Sequence, residues 1–434
     1  MVSPYRLTVT ELSHMMDDGL LTSSQLIESC LQRVSAREDA VQAWQHVDAD
    51  GALEAARKCD NEPRIGPLHG IPVGVKDIFD TFDMPTTYGS PIYDGNQPKG
   101  DAACVALLRE LGAIILGKTV STEFATRYPG KTRNPWNLDH TPGGSSSGSA
   151  AAVADCMVPL ALGTQTAGSV IRPSAYCGVV GYKPSFGYVN RTGVKPLSDS
   201  LDTVGFHARS VVDVGLIFSL LSGRPESALT ASSANNRVWR IGVCRTPMWD
   251  SIDDEAQTLF EMTASRLANA GAQVEQIELD PAFMAGMASQ DIISEFETWR
   301  SLAYERTRHA DKLSGTLIDR LRRAGARSVA DYNKARAHAE ECRRGIAIVF
   351  ESWDALLVPA VSGAAPIGLG DTGDPVFCKL WTLLHGPAIT IPAGKSDRGL
   401  PLAVQLVGNI HTDNSLLRCA QWVESILAAR LKTH

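Results

Sequence analysis

Two Gly/Ser-rich turns are the segments of this chain best suited to chemistry. The first spans residues 143–148 (GGSSSG) and the second spans residues 167–169 (AGS), with an apolar helix and an apolar strand predicted between them. Glycine is costly in backbone entropy, so chains use it where atoms must approach closely. Because each turn precedes a predicted helix start, the pair indicates a site rather than two surface turns.

A serine in such a turn needs a base before its hydroxyl can attack a carbonyl. Lys76 ends the apolar stretch LHGIPVGVK, and it is the one lysine whose sequence surroundings suggest a desolvated ammonium. An ordinary lysine, with a pKa of about 10.4, is neutral in roughly one molecule in a few thousand at pH 7. Burial lowers that pKa, so we interpret Lys76 as a base. A strand-end lysine that reaches solvent is the alternative.

The two turns then have separate tasks. The hydroxyls of residues 145–147 can relay a proton to Lys76, and Ser169 lies where a turn meets a helix start. Backbone N–H groups at such a place stabilise a developing oxyanion. This arrangement predicts a serine nucleophile activated by a lysine.

Residues 144–148 also match the GxSxG nucleophile elbow, with Ser146 as the attacking group. That motif must follow a strand directly, whereas a loop broken by Pro135 and Pro142 precedes it here. A phosphate-binding loop is disfavoured because no Lys-Ser/Thr pair follows the glycines. A nucleophile elbow and a phosphate-binding loop are therefore both less favoured than a site with Ser169 as the nucleophile.

Composition excludes several classes of protein. The 434 residues are 44% hydrophobic and 21% charged, which is typical of a globular protein with a sizeable core. A net charge of −7 argues against nucleic acid and anionic membranes as partners. With no leader-like start and no apolar run of about 18 residues, the sequence predicts a soluble, cytoplasmic protein.

Cysteine and histidine usage argues against metal sites and disulfides. The nine cysteines are scattered without a CxxC pair, and the ten histidines form no HxxxH or HExxH. We therefore expect reduced core thiols and no bound metal.

Alternating strand and helix patterns with glycines at the junctions predict an α/β layered fold with a largely parallel sheet. Capping boxes at Thr8–Glu11 and Thr22–Gln25 predict the first helix starts. Without repeats or low-complexity linkers, residues 1–434 are expected to form a single domain. Its catalytic core spans about 65–210, with a helical elaboration at about 210–350.

The chain resembles the amidase signature family of serine hydrolases over nearly its whole length. The resemblance rests on the segments GPLHGIPVGVKD, TEFA, GGSSSGSAAAVA, LALGTQTAGSVIRP, CGVVGYKPS and LPLAVQLVG. The segments TQT and SVIRP are most similar to those of the bacterial malonamidases. The resemblance implies a large twisted mixed β-sheet core covered by α-helices on both sides, and no metal or organic cofactor.

Roles carry over by position from that resemblance. It implies Ser169 as the nucleophile, Ser145 as the proton-shuttling serine after a cis peptide bond, and Lys76 as the base. It also implies an oxyanion hole made by the backbone amides of Thr166, Ala167, Gly168 and Ser169. The chain departs from the common Asp-x-Gly-Gly-Ser pattern at residues 165–169, so we expect no positive φ at Ala167. Ser147 replaces a more usual glycine.

Substrate contacts are less constrained by the sequence. Arg172 lies one helical turn after Ser169, where a guanidinium can grip a substrate carboxylate, as the matching arginine does in malonamidase-like relatives. The alternative is an arginine that ties its helix to neighbouring loops. Tyr128 is expected in the pocket wall.

The resemblance implies hydrolysis of a carbon–nitrogen bond in a small linear amide through a Ser-cisSer-Lys triad and an acyl-enzyme. Alternatives are a carbamate, urea or anilide hydrolase of the same family, or the glutaminase subunit of a glutamyl-tRNA amidotransferase. The SVIRP segment favours a free-standing hydrolase over the glutaminase subunit of an amidotransferase. A silent binding protein is disfavoured by the three candidate catalytic residues. The expected partner is a small-molecule amide, with a homodimer left open.

Overall fold

The computed structural model describes residues 2–225, 229 and 237–431, and its first helices begin at the predicted capping boxes. Thr8 accepts a hydrogen bond from the backbone N–H of Glu11 at the start of α1 (Val9–Asp17). Thr22 does the same for Gln25 at the start of α2 (Ser23–Val41). In both boxes the third helical residue returns a bond to the capping backbone, which satisfies otherwise unpaired N–H groups.

The strands form one mixed sheet in the order β1-β3-β2-β4-β6-β5-β10-β11-β9-β7-β8. Their bounds are β1 (Trp44–Val47), β2 (Pro72–Lys76), β3 (Ile114–Thr119), β4 (Leu160–Gln165), β5 (Val180–Lys183), β6 (Thr203–Ala208), β7 (Arg240–Cys244), β8 (Gln273–Ile277), β9 (Ala355–Pro359), β10 (Ala388–Lys395) and β11 (Pro401–Val407). The mixed α/β sheet implied by the family resemblance is confirmed.

The largely parallel sheet predicted from strand–helix alternation is wrong. Among the described strands, six neighbouring pairs are antiparallel and four are parallel. Alternation predicts parallel neighbours only when each helix crosses between adjacent strands. Here β6 returns antiparallel between β4 and β5, and β10 turns directly into β11 through a hairpin at residues 396–400.

Helices pack on both faces of the sheet. Their remaining bounds are α3 (Ala49–Asn61), α4 (Ala103–Glu110), α5 (Ser147–Ala154), α6 (Ile171–Cys177), α7 (Val211–Ser222), α8 (Asp254–Asn269), α9 (Ala282–Ser301), α10 (Ala303–Arg308), α11 (Gly315–Gly325), α12 (Val329–Ser352), α13 (Val376–Leu383) and α14 (Asp413–Leu431).

The alternation along β9 shows the two layers directly. Ala355 and Leu357 join a hydrophobic cluster that contains residues of α7 and α14, whereas Leu356 and Val358 join a second cluster with residues of α6 and α13. Successive strand residues point to opposite faces. The sheet is therefore covered by helices on both sides, as the resemblance implied.

The stretch from 210 to 350 is not only helical. Besides α7 to α12 it supplies β7 and β8, which extend the same sheet beyond β9. Residues 226–228 and 230–236 of this stretch lie outside the described part of the chain. The single domain over 1–434 and its internal boundaries stay predictions.

All nine cysteines are free thiols, and seven are buried, which agrees with the predicted core positions. Across the described ranges, no helix combines the length and the apolar character that crossing a bilayer would require.

The first half of the sheet brings three strand ends together. Strand β2 pairs in parallel with both β3 and β4, so the carboxyl ends of the three strands meet at one edge. In open α/β sheets this edge is where ligands bind. Lys76, Thr119 and Gln165 end these strands.

Near its start, helix α5 packs closely against the backbone of neighbouring segments at Gly148. A Cβ at this position would lie 2.2 Å from the carbonyl oxygen of Ala43 and 2.3 Å from the backbone nitrogen of Val120. We therefore expect Gly148→Ala to lower the unfolding free energy by at least about 2 kcal/mol, because the backbone must shift. Thermal unfolding followed by circular dichroism measures this loss.

The matched control is Gly315→Ala, at the first residue of α11, where an added Cβ has no atom within 4 Å. This change should leave the midpoint unchanged or raise it slightly. Equal midpoints for the two variants would contradict the close packing of α5.

Candidate active site

Lys76 is fully buried at the end of β2, whose five residues are all buried. Its Nζ donates to Ser145 Oγ at 2.7 Å and to Thr164 Oγ1 at 2.9 Å. Burial lowers the pKa of Lys76 to about 7, with the charge of Asp202 acting in the opposite direction. A sizeable fraction of this lysine is therefore a neutral amine at neutral pH.

The sequence interpretation that Lys76 is the one desolvated lysine is wrong. Lys118 and Lys183 are also fully buried, and burial lowers the pKa of each to about 8. Both lysines also follow apolar strand segments, AIILGK and CGVVGYK, so the sequence pattern that indicated Lys76 applies to them equally.

The hydrogen-bond partners set Lys76 apart from the other two. Lys118 donates to the carbonyl oxygen of Phe79 at 2.6 Å and to the hydroxyls of Thr86 at 2.5 Å and Thr81 at 3.3 Å, and it lies 3.6 Å from a carboxylate oxygen of Asp77. Lys183 donates to two carbonyl oxygens. Carbonyls and carboxylates only accept, whereas the hydroxyls of Ser145 and Thr164 can also donate to a neutral amine. Of these three lysines, Lys76 is the one whose partners among the described residues are hydroxyls alone, without a carbonyl or carboxylate that favours the ammonium.

The first turn holds Ser145 beside Lys76. The Gly144–Ser145 peptide bond is cis, as the resemblance implied, and Ser145 is fully buried. Gly143 has a φ of 80°, and a Cβ there would lie 2.8 Å from Pro173 Cα, so only glycine fits. The turn therefore packs directly against the start of α6.

The second turn, residues 166–169, is held by its carbonyl groups. Gln290 Nε2 donates to the Thr166 carbonyl at 3.0 Å, and Thr382 Oγ1 donates to the Ala167 carbonyl at 2.7 Å. In contrast, the N–H groups of residues 166–169 have no hydrogen-bond acceptor among the residues that the structure describes. Ala167 has no positive φ, as expected. The turn thus presents free donors on a fixed frame.

Gln165 connects this turn to the helix that follows. Its Oε1 accepts from the N–H groups of Val170 at 2.9 Å and Ile171 at 3.0 Å, which caps α6. Its Nε2 donates to Thr382 Oγ1 at 3.0 Å. The glutamine that replaces the family's usual residue therefore supports the turn from its side chain.

The two turns also contact each other through the backbone. The Ser146 N–H donates to the Ser169 carbonyl at 3.3 Å. A direct bond between the Ser145 and Ser169 hydroxyls is not among the hydrogen bonds of the described residues. Catalytic hydrogen bonds often tighten only in the substrate complex.

Ser146, the elbow alternative, is placed differently from Ser169. Its hydroxyl is fully buried and exchanges hydrogen bonds with the backbone of Thr164 at 3.3 and 3.4 Å. Ser169 is 8% exposed and borders a cavity of about 320 Å³, together with Thr166, Ala167 and Gly168. Of the two serines, only Ser169 is a lining residue of this cavity.

Arg172 lines the same cavity, but its guanidinium is bound to loops. Nη2 donates to the Gly144 carbonyl at 2.7 Å and to Thr372 Oγ1 at 3.2 Å, and Nη1 donates to the Gly373 carbonyl at 2.5 Å. These contacts match the alternative in which Arg172 ties its helix to neighbouring loops. They also hold the carbonyl of the cis peptide bond.

Tyr128 lies apart from the described lining of the cavity and is 49% exposed, although Thr126 and Arg127 beside it are lining residues. Its substrate-binding role stays a prediction. Sequence reasoning missed Thr164, Gln290 and Thr382, which lie in strand or helix patterns typical of packing. Nothing local distinguishes them from core residues.

The chain is similar to known proteins over nearly its whole length. A sequence model described as Amidase matches residues 25–417. The chain is 34% identical to a glutamyl-tRNA(Gln) amidotransferase subunit of Acidothermus cellulolyticus, over 98% of this chain and 95% of that protein. It superimposes on the native peptide amidase from Stenotrophomonas maltophilia with a TM-score of 0.85 and 30% identity, over 98% of each chain. A further crystal structure of an amidase gives a TM-score of 0.88 at 28% identity, over 97% of this chain and all of that one.

The state of Lys76 predicts how the reactivity of Ser169 varies with pH. A fluorophosphonate should modify Ser169 at a rate that rises through pH 7 and then levels off, because Lys76 can accept a proton only as the neutral amine. Mass spectrometry at fixed reaction times gives this rate. Lys76→Met should lower it by about 10²–10⁴-fold and remove the pH dependence.

Lys58→Met, at a side chain that is 73% exposed, serves as the control and should keep the wild-type profile. A rate that falls as the pH rises above 7 would contradict a lysine base.

Proposed function

The chain belongs to the Amidase family, and from that premise we propose that it hydrolyses the carbon–nitrogen bond of a small linear amide through an acyl-enzyme on Ser169. One observation carries the proposal. A buried lysine is hydrogen-bonded at 2.7 Å to Ser145, and Ser145 belongs to a turn that contacts the Ser169 turn.

The proton moves along hydroxyl groups. Neutral Lys76 takes the proton of Ser145, which takes the proton of Ser169 as the Ser169 oxygen attacks the amide carbon. The 2.7 Å bond between Lys76 and Ser145 supports the first transfer. The second transfer requires Ser169 Oγ to approach Ser145 Oγ when the amide is bound.

The tetrahedral intermediate places a negative charge on the former carbonyl oxygen. The unoccupied N–H groups of residues 166–169 support an oxyanion hole, since preorganised donors cost no reorganisation during the reaction. The bonds from Gln290 and Thr382 to the carbonyls of this turn keep those donors in place.

Collapse of the intermediate requires a proton on the departing nitrogen. Ser145 returns the proton to that nitrogen while the carbon–nitrogen bond breaks, and Lys76 returns its proton to Ser145. Water then attacks the ester of Ser169 through the same relay, which releases the carboxylic acid and restores the serine.

Replacement of the hydroxyls tests the relay. We expect Ser169→Ala to abolish ammonia release from simple carboxamides and to remove the fluorophosphonate adduct. Ser145→Ala should lower kcat by about 10²–10⁴-fold while the fold is retained, because a general acid–base group is lost. Coupled ammonia detection and circular dichroism measure the two effects.

Ser146→Ala is the matched control, since Ser146 belongs to the first turn beside Ser145 and its hydroxyl bonds only to backbone in the described contacts. It should keep the adduct on residue 169. An adduct that disappears with Ser146→Ala would favour the elbow mechanism instead.

The relatives named as glutamyl-tRNA(Gln) amidotransferase subunits favour a second candidate function. In it the same relay attacks the side-chain amide of glutamine, and the ammonia passes to a partner protein rather than to water. This candidate shares the acyl-enzyme but differs in where ammonia is used. A third candidate, hydrolysis of carbamates, ureas or anilides, uses the same groups on a different leaving nitrogen.

The purified chain by itself should release ammonia from simple carboxamides with repeated turnover. An assay panel of neutral amides, carboxylated amides, glutamine, carbamates, ureas and anilides, with Ser169→Ala as the blank, measures this preference. Glutaminase activity that requires a co-purifying partner protein would support the second candidate and contradict the first.

A further inference from the structure

The cavity beside Ser169 is lined by an excess of positive charge. It carries six basic side chains and two acidic ones, Asp291 and Glu295. The basic residues are Arg127, Arg172, Arg320, Arg323, Arg327 and Lys379. Helices α9 and α11 supply much of the wall that faces the 166–169 turn.

Both acidic residues already have basic partners. Asp291 lies 2.8 Å from Lys379 Nζ, and Glu295 lies 2.7 Å from Arg327 Nε and 3.8 Å from Arg323 Nε. These pairs neutralise the exposed rim of the cavity. They leave the deeper guanidinium groups without a carboxylate.

Arg320 is the least satisfied of these deeper groups. Its Nη2 donates to Ser294 Oγ at 2.8 Å and reaches Thr298 Oγ1 at 3.4 Å, and its Nε is buried without a partner. Within the described ranges, no carboxylate lies within 4 Å of this guanidinium. A guanidinium is not deprotonated in proteins. Arg320 therefore places a positive charge at the cavity without a carboxylate of the described residues in contact with it.

The Nε of Arg172 is also buried without a partner, but Arg172 differs because oxygen acceptors occupy both of its Nη atoms. Burial lowers the pKa of Arg172 and of Arg320, and the charge of Arg127 acts in the same direction on each, whereas Glu295 and Asp291 oppose it at Arg320 and Asp371 opposes it at Arg172. Five guanidinium groups thus line one cavity, and of the three that influence one another here only Arg127 lies within 4 Å of a carboxylate in the described part of the chain, that of Asp374 at 3.9 Å. An anion entering the cavity would relieve their repulsion and supply the missing counter-charge.

We propose that Arg320 binds a carboxylate of the substrate, so that the enzyme prefers amides that carry a carboxylate on the part lying between Ser169 and α11. This inference rests on the proposed amide hydrolysis. It assigns carboxylate recognition to α11 rather than to Arg172, whose guanidinium supports the Gly144 carbonyl. The planar fork of arginine suits a carboxylate in this role.

A substrate pair isolates the charge. The monoamides of succinic, glutaric and adipic acids are compared with neutral amides of the same chain length. We expect the wild-type protein to prefer the charged member at one length. Arg320→Gln should lower kcat/KM for that substrate by about 10–100-fold, because a hydrogen bond to a charged group is lost. The neutral amide should change less than about threefold.

Two variants control for structure. Arg322→Gln lies on the same helix, where Arg322 pairs with Asp319 and its side chain is 74% exposed, and it should leave both substrates unaffected. Arg320→Lys should restore part of the preference for the charged amide. Equal losses on charged and neutral amides with Arg320→Gln, or no loss on either, would overturn the assignment.

A binding measurement tests carboxylate recognition independently of amide hydrolysis. Titration calorimetry with Ser169→Ala protein measures the affinity for the preferred monoamide without turnover. The added Arg320→Gln change should weaken it at least tenfold. If the wild-type protein binds the monoamide through Arg320 but hydrolyses no amide, the proposed function fails and the carboxylate site stands. If Ser169→Ala protein binds charged and neutral amides equally well, the carboxylate site is wrong.

Discussion

The rest of the site depends on the hydrogen bonds between the buried amine of Lys76 and the hydroxyls of Ser145 and Thr164. Desolvation favours the neutral amine of Lys76, and the hydroxyls of Ser145 and Thr164 can satisfy either protonation state. Lys118 and Lys183 show that depth of burial does not decide this alone, since a carbonyl and a carboxylate beside Lys118 and two carbonyls beside Lys183 favour the ammonium form. The kind of partner, more than the burial, makes one of three buried lysines suitable as a base.

The second constraint is the rigidity of the turn that carries Ser169. Its carbonyl groups accept bonds from Gln290 and Thr382, which lie 124 and 215 residues further along the chain. With the carbonyls bonded in this way, the N–H groups of residues 166–169 keep no acceptor among the described residues. The helices on one face of the sheet thereby orient donors at the carboxyl ends of β2 and β4.

Helices α9 and α13, which fix the turn that carries Ser169, also border the cavity. The groups proposed for bond cleavage and those available to recognise a substrate therefore come from different elements. The proposed relay residues Lys76, Ser145 and Ser169 lie on the sheet edge and the two glycine turns, whereas α9 and α11 supply much of the opposite wall. Relatives named as a peptide amidase and as part of an amidotransferase share the fold and the family. Different substrates on a common fold are expected where recognition depends on such outer elements.

The sequence alone determined the contiguous features: capped helices, two glycine turns, a lysine after an apolar strand, and a family resemblance that implied the mixed sheet. These depend on neighbours within a few residues or on an uninterrupted motif. Only the tertiary structure decided the antiparallel pairings, the hydrogen-bond partners that distinguish the three buried lysines, the loop contacts of Arg172 and the lack of a carboxylate within 4 Å of Arg320 in the described part of the chain. Each of these results from groups that are distant in sequence and adjacent in space, and local patterns carry no record of such proximity.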